Sequence, residues 1–157
     1  MHSCITRIVR LSLLVILLLP IACGSGSSSD NNYTDPGPYR LTFSLDASFQ
    51  AVHGDQPIRI AVVRVTDGVV VAEGIGTVSA TQNPSFTFTA NDVLKRGIGY
   101  EVHYWIDSNI GGGTLGVCDP KDIDHQWSFE ILRATNNVDF TTSHNPALTE
   151  DVCDTFG

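Results

Sequence analysis

Between Tyr39 and Thr142 apolar and polar residues repeatedly alternate one by one, and a period of two is the signature of half-buried strands. Leu41, Phe43, Leu45 and Ala47 alternate with Thr42, Ser44 and Asp46. Tyr100, Val102, Tyr104 and Ile106 alternate with Glu101, His103, Trp105 and Asp107. Phe86, Phe88 and Ala90, then Trp127, Phe129 and Ile131, then Val138, Phe140 and Thr142 repeat the pattern. Ile58 to Val65 is almost continuously Ile, Ala and Val, which predicts a strand covered on both faces. Thr66-Asp67-Gly68 reads as a turn. Val69 to Ala72 then runs on, and Gly76 to Ala80 continues that strand past a bulge near Gly74. No long window is helical, although Asn91 to Arg96 and Asn145 to Val152 each have room for one turn, the first capped by Asn91. The expectation is an all-β chain. It is a single β-sandwich of immunoglobulin-like or transthyretin-like type over residues 39–157, with about seven antiparallel strands.

What precedes residue 39 has a different character. Arg7 and Arg10 lead into the uncharged run Leu11 to Ala22, which is shorter than the roughly 20 residues a permanent membrane helix needs. Residues 1–22 therefore read as a signal peptide. The segment Leu19-Pro20-Ile21-Ala22-Cys23 resembles a bacterial lipoprotein signal, the lipobox, with Pro20 where leucine is usual. The resemblance implies that Cys23 carries the lipid. With Gly24 following it, it also implies an outer-membrane lipoprotein or one facing the periplasm, fixed to the lipid membrane at its N-terminus. Gly24 to Pro38 is dominated by Ser, Gly, Asn and Pro and reads as a flexible tether, so residues 23–38 form anchor and linker.

Cys118 and Cys153 remain in the exported part. In an oxidising compartment a disulfide between them is the default, with a thiolate metal ligand as the alternative. The net charge of −8, from 9 Lys+Arg against 17 Asp+Glu, argues against a nucleic-acid partner, which needs a basic face.

The stretch from Tyr104 to Trp127 is the segment most like a site. It leaves one strand and enters the next through Gly111, Gly112, Gly113 and Gly116, with Asp107, Asn109, Asp119, Asp122 and Asp124 around them. Calcium takes six to eight oxygens of this kind, and glycines let carbonyls turn inward. Asp107-x-Asn109 followed by Gly111 loosely resembles calcium loops written Asp-x-Asn-x-Gly-x-x-Asp; an EF-hand is excluded for want of flanking helices and of a Glu at the twelfth position. The alternative is a polar hairpin loop in which Asp and Asn bond their own backbone. The layout Trp-x-Asp-x-Asn, glycines, Cys-Asp-Pro and Asp-His-x-Trp, with His53-Gly54-Asp55-Gln56 before an earlier strand, also resembles uncharacterised exported bacterial β-domains. That resemblance implies a fold and no activity.

Of the histidines, His103 and His125 lie on the two strands flanking this loop. A hairpin would let them approach, with His53 available to join. Three imidazoles and a carboxylate suit copper or zinc. A blue-copper site is excluded because the only methionine is Met1. No nucleophile elbow, P-loop or dinucleotide fingerprint occurs. The expectation is a non-catalytic, lipid-anchored binding module for an unknown protein or small-molecule ligand, with Trp105, Asp107, Asn109, Asp124 and His125 as candidate contacts. The alternative is a metal-binding lipoprotein. It would hold calcium through Asp107, Asn109, Asp119 and Asp124, or copper or zinc through His103 and His125.

Overall fold

Alternation fixes the inner face of the first strand. β1 (Tyr39–Leu45) buries Tyr39, Leu41, Phe43 and Leu45 and leaves Arg40, Thr42 and Ser44 half-covered. In the computed structural model, which describes residues 37–157, β1 is the centre of a three-stranded sheet. The expected signal peptide, Cys23 as the expected lipid-bearing residue and nearly all of the expected tether fall outside the described residues. β1 lies between β4 (Phe86–Leu94), antiparallel to it, and β7 (Val138–Thr142), parallel to it. The second sheet has the order β3 (Val69–Thr77), β2 (Pro57–Arg64), β5 (Tyr100–Ile106), β6 (His125–Ile131), antiparallel throughout. The all-β sandwich is as the alternation predicts, and the parallel β1–β7 pair is the departure from an all-antiparallel arrangement. It follows from the chain crossing between sheets after β6, so that β7 runs the same way as β1.

The inner faces meet around Phe43. Its ring lies 4.8 Å from Tyr104, 5.8 Å from Phe129 and 6.3 Å from Phe140, between centroids. β2 buries Ile58, Ile60 and Val62 with Ala61 and Val63, as its continuous apolar run requires. Gly74 and Gly76 of β3 have a packing role: a Cβ on either would overlap Phe88 or Phe86 of β4. The irregularity in β3 falls not at Gly74 but at Val71, because Val62 faces Ala72 and Val63 faces Val70. The turn expected at Asn91–Arg96 is instead strand as far as Leu94. There β4 bulges against Tyr39 and Leu41, with Asp92 in the left-handed region at φ 56°. The C-terminal turn is a short 3-10 turn, Pro146–Leu148, capped by Asn145.

The C-terminal segment covers the outer face of the larger sheet. The Cys118–Cys153 disulfide joins it to the β5–β6 loop. Gln126, fully buried, holds both: its Nε2 donates to Asp119 O at 2.7 Å and its Oε1 accepts from Val152 N at 2.8 Å.

The register gathers several connections at one end of the sandwich. Leu45 lies beside Thr142, and Ile58 beside Ile106, which in turn faces His125. The exits of β1 and β7, the entry to β2, and both ends of the β5–β6 loop therefore share that end.

Candidate functional site

His53 reaches this end through a short element that the sequence pattern does not reveal. Asp46 Oδ1 accepts from Ser48 N at 2.8 Å and starts a 3-10 turn, Ala47–Phe49. One α-helical turn, α1 (Gln50–His53), follows. Phe49 is fully buried and plugs the sandwich, and His53 is turned inward behind it at 1% exposure. α1 stops at Gly54, where a Cβ would overlap Gln50 O and Ala80. His125 opens β6 on the same face as Trp127, two residues on. His144 stands two residues past β7, and its N–H donates to Ser48 Oγ at 2.7 Å.

The three imidazoles converge. One ring nitrogen from each lies within 4.8 Å of the other two. His53 Nε2 and His125 Nδ1 are 2.9 Å apart. The indole of Trp127 underlies all three rings, at centroid distances of 6.1 Å, 5.5 Å and 5.9 Å to His53, His125 and His144. Gln56 Oε1 accepts from His53 Nδ1 at 2.7 Å, which puts the proton on Nδ1 and leaves the Nε2 lone pair facing the cluster. A carbonyl behind an imidazole in this way orients a metal-ligating histidine. His144 Nε2 is buried and has no hydrogen-bond partner.

Electrostatics keep the rings neutral. Burial pushes the His53 pKa down to about 4, against the Gln56 hydrogen bond and with the help of charge repulsion from His125 and His144. Burial lowers His125 as well; His144 adds to this and Asp124 opposes it. Burial alone lowers His144. Neutral imidazole is the form that binds a metal. With zinc–nitrogen bonds of ~2.1 Å, tetrahedral ligand atoms stand roughly 3.4 Å apart, so small ring rotations would close this group on an ion.

The carboxylates of the β5–β6 loop are arranged differently. Asp124 is fully buried; its Oδ1 accepts from Ser108 N at 2.9 Å and Asn109 N at 3.1 Å, and its Oδ2 from Asp119 N at 3.0 Å. Asp107, also buried, accepts from Gly116 N at 2.6 Å and from the Asn109 side chain. Asp119 accepts from Thr114 N. These oxygens shape the loop by holding its own backbone. Among the described residues, the one group of three His, Cys, Asp or Glu side chains placed to share an ion is His53, His125 and His144.

Trp105 is buried on the outer face, edge-on to Phe156 at 6.3 Å. His103 does not approach His125. It lies opposite Ser128 on the outer face, bonded to Thr155 Oγ1 at 2.7 Å and Glu101 at 3.1 Å. The structure brings His125 to His53, as the sequence allows, and supplies His144 as the third imidazole. Sequence reasoning missed His144. Its only local sign is its place just beyond a strand end.

The sequence matches no family model and no curated protein. Among solved structures it is similar to a fimbrial assembly protein from Parabacteroides distasonis, at 11% identity and a TM-score of 0.42, over 67% of this chain and 52% of that one. The chain thus spans about half the length of that protein.

Proposed function

We propose that this chain is an exported lipoprotein whose β-sandwich binds a divalent transition metal ion, zinc or copper(II), through His53, His125 and His144, and is not an enzyme. One observation carries the reading: three imidazoles with depressed pKa values converge, and one of their nitrogens, His144 Nε2, is buried without a partner. Unpaired buried polar atoms are costly, and a metal would relieve this one. Export and anchoring at Cys23 rest on the leader, and the disulfide fits an oxidising compartment. Calcium in the β5–β6 loop through Asp107, Asn109, Asp119 and Asp124 has less support, because the three carboxylates already accept from backbone N–H groups and only Asn109 contributes a buried oxygen without a partner. A partner or ligand held by Trp105, Asp107, Asn109, Asp124 and His125 has less support, because Trp105 is covered, Asp107 and Asp124 hold the loop's backbone, and His125 belongs to the imidazole group.

Calorimetry on the chain with Cys23→Ser, disulfide intact, tests the metal reading. The expected result is one equivalent of zinc or copper(II) bound and no heat with calcium. Binding should be lost in His53→Ala and strongly weakened in His144→Ala. Absence of heat with both transition metals would overturn the reading. Labelling of wild type but not Cys23→Ser by a fatty-acid analogue tests the anchor.

A further inference from the structure

The proposed metal centre has three protein ligands, and the surrounding residues leave it without a fourth. Asp124 neighbours His125 in sequence, but both of its oxygens are held by backbone N–H groups of Ser108, Asn109 and Asp119. Ser108 Oγ donates to Ile106 O at 3.0 Å and accepts from His125 N at 3.4 Å. Gln56 Oε1 is engaged behind His53. Cys118 and Cys153 are joined to each other. Among the described residues no carboxylate or thiolate belongs to the cluster.

Zinc sites with three protein ligands complete four-coordination with water or an exogenous donor, and copper(II) likewise takes a fourth donor. Three neutral imidazoles also leave the full double charge of the ion uncompensated. His125 and His144 are only half-buried, so the group lies near the surface although His144 Nε2 itself is covered. The protein's net charge of −8 opposes anions at long range. That field is screened over about 8 Å at physiological salt, and at contact the local double charge dominates.

We infer that the His53–His125–His144 centre, once loaded, keeps an exchangeable coordination position that takes a small anionic donor of carboxylate type from outside the chain. This rests on the metal reading above and adds to it what the site recruits. No covalent chemistry is involved: the anion displaces a metal-bound water.

The test uses the copper(II)-loaded chain with Cys23→Ser, titrated separately with azide and acetate. The expected result is a saturable, one-equivalent azide-to-copper charge-transfer band. Acetate should compete for the same position and suppress that band. Relaxation of bulk water protons by the loaded protein should fall as either anion saturates. If copper binds with one-to-one stoichiometry but neither anion changes the spectrum or the water relaxation, the position is closed by the chain. The inference then fails while the metal reading stands. If copper does not bind, both fail.

Discussion

Two polar clusters sit at the same end of this sandwich and differ in how their lone pairs are used. In the β5–β6 loop, Asp107, Asp119 and Asp124 accept from the backbone of Ser108, Asn109, Thr114, Gly116 and Asp119. At the histidine cluster, His53 Nε2 faces another imidazole nitrogen and His144 Nε2 faces nothing that bonds it. The loop's carboxylates are therefore spent on its own backbone, although Asn109 Oδ1 there is also buried without a partner; among the imidazoles the atom left over is His144 Nε2. What separates the two is placement: the loop's leftover atom is one amide oxygen among engaged carboxylates, whereas the other is a nitrogen within three converging imidazoles.

The sharpest way to break this contrast is to release the loop. Replacing Cys118 and Cys153 by serine should cost about 4 kcal/mol on the chain-entropy estimate for a loop of this length, read from urea unfolding. Zinc binding should survive in the fraction that stays folded, because His53 and His144 lie outside the loop and His125 is held by its ladder pairing with Ile106. Loss of zinc affinity in a folded double mutant would mean that the two clusters are one site.

Asp124→Ala should cost about 3 kcal/mol, since it strands three backbone donors that the carboxylate now accepts. Calcium should leave the melting temperature of the wild type and of this variant unmoved. A calcium-induced rise in the wild type would return the loop to the list of metal sites. Zinc at a hundredfold excess over its dissociation constant should stabilise the wild type by about 2.7 kcal/mol, and the gain should vanish in His53→Ala. Quenching of Trp127 by copper(II), retained in Trp105→Phe, would locate that ion beneath the same rings.

How much of this was legible follows from range. Strands such as β1 and β5 announce themselves because period-two alternation is a local property that burial on one face enforces. The bulges at Val71 and around Asp92 were misplaced or missed, because they depend on which residue of a partner strand stands opposite. The seat of His53 is seven residues of helical turn, too short for any periodicity, with Asp46 capping Ser48 as its one local signal. His144 was out of reach because the parallel pairing of β7 with β1 joins segments almost a hundred residues apart. Arg40 N donating to Asn137 Oδ1, with 97 residues between them, is one instance. The loop carboxylates were legible as residues. Whether an oxygen faces a ligand or its own backbone is a matter of conformation.

The smallest expected effect is also the one that belongs to the nitrogens alone. The His53 pKa falls from 6.5 unfolded to about 4 folded, so between those values the unfolded chain binds the proton and the native one does not. By linkage, native stability drops as pH falls through this window, and the loss should be complete near pH 4. Allowing for solvent at this end of the sandwich, the loss attributable to His53 is roughly 1–2 kcal/mol. His125 and His144, shifted the same way, add to the slope. Urea unfolding from pH 7 to pH 4 should show this decline in the wild type and a shallower one in His53→Phe. Zinc affinity should fall over the same interval, because protons compete for the lone pairs that the metal needs. A decline of equal slope in His53→Phe would mean that the buried His53 imidazole does not carry it, and its depressed pKa would then be wrong.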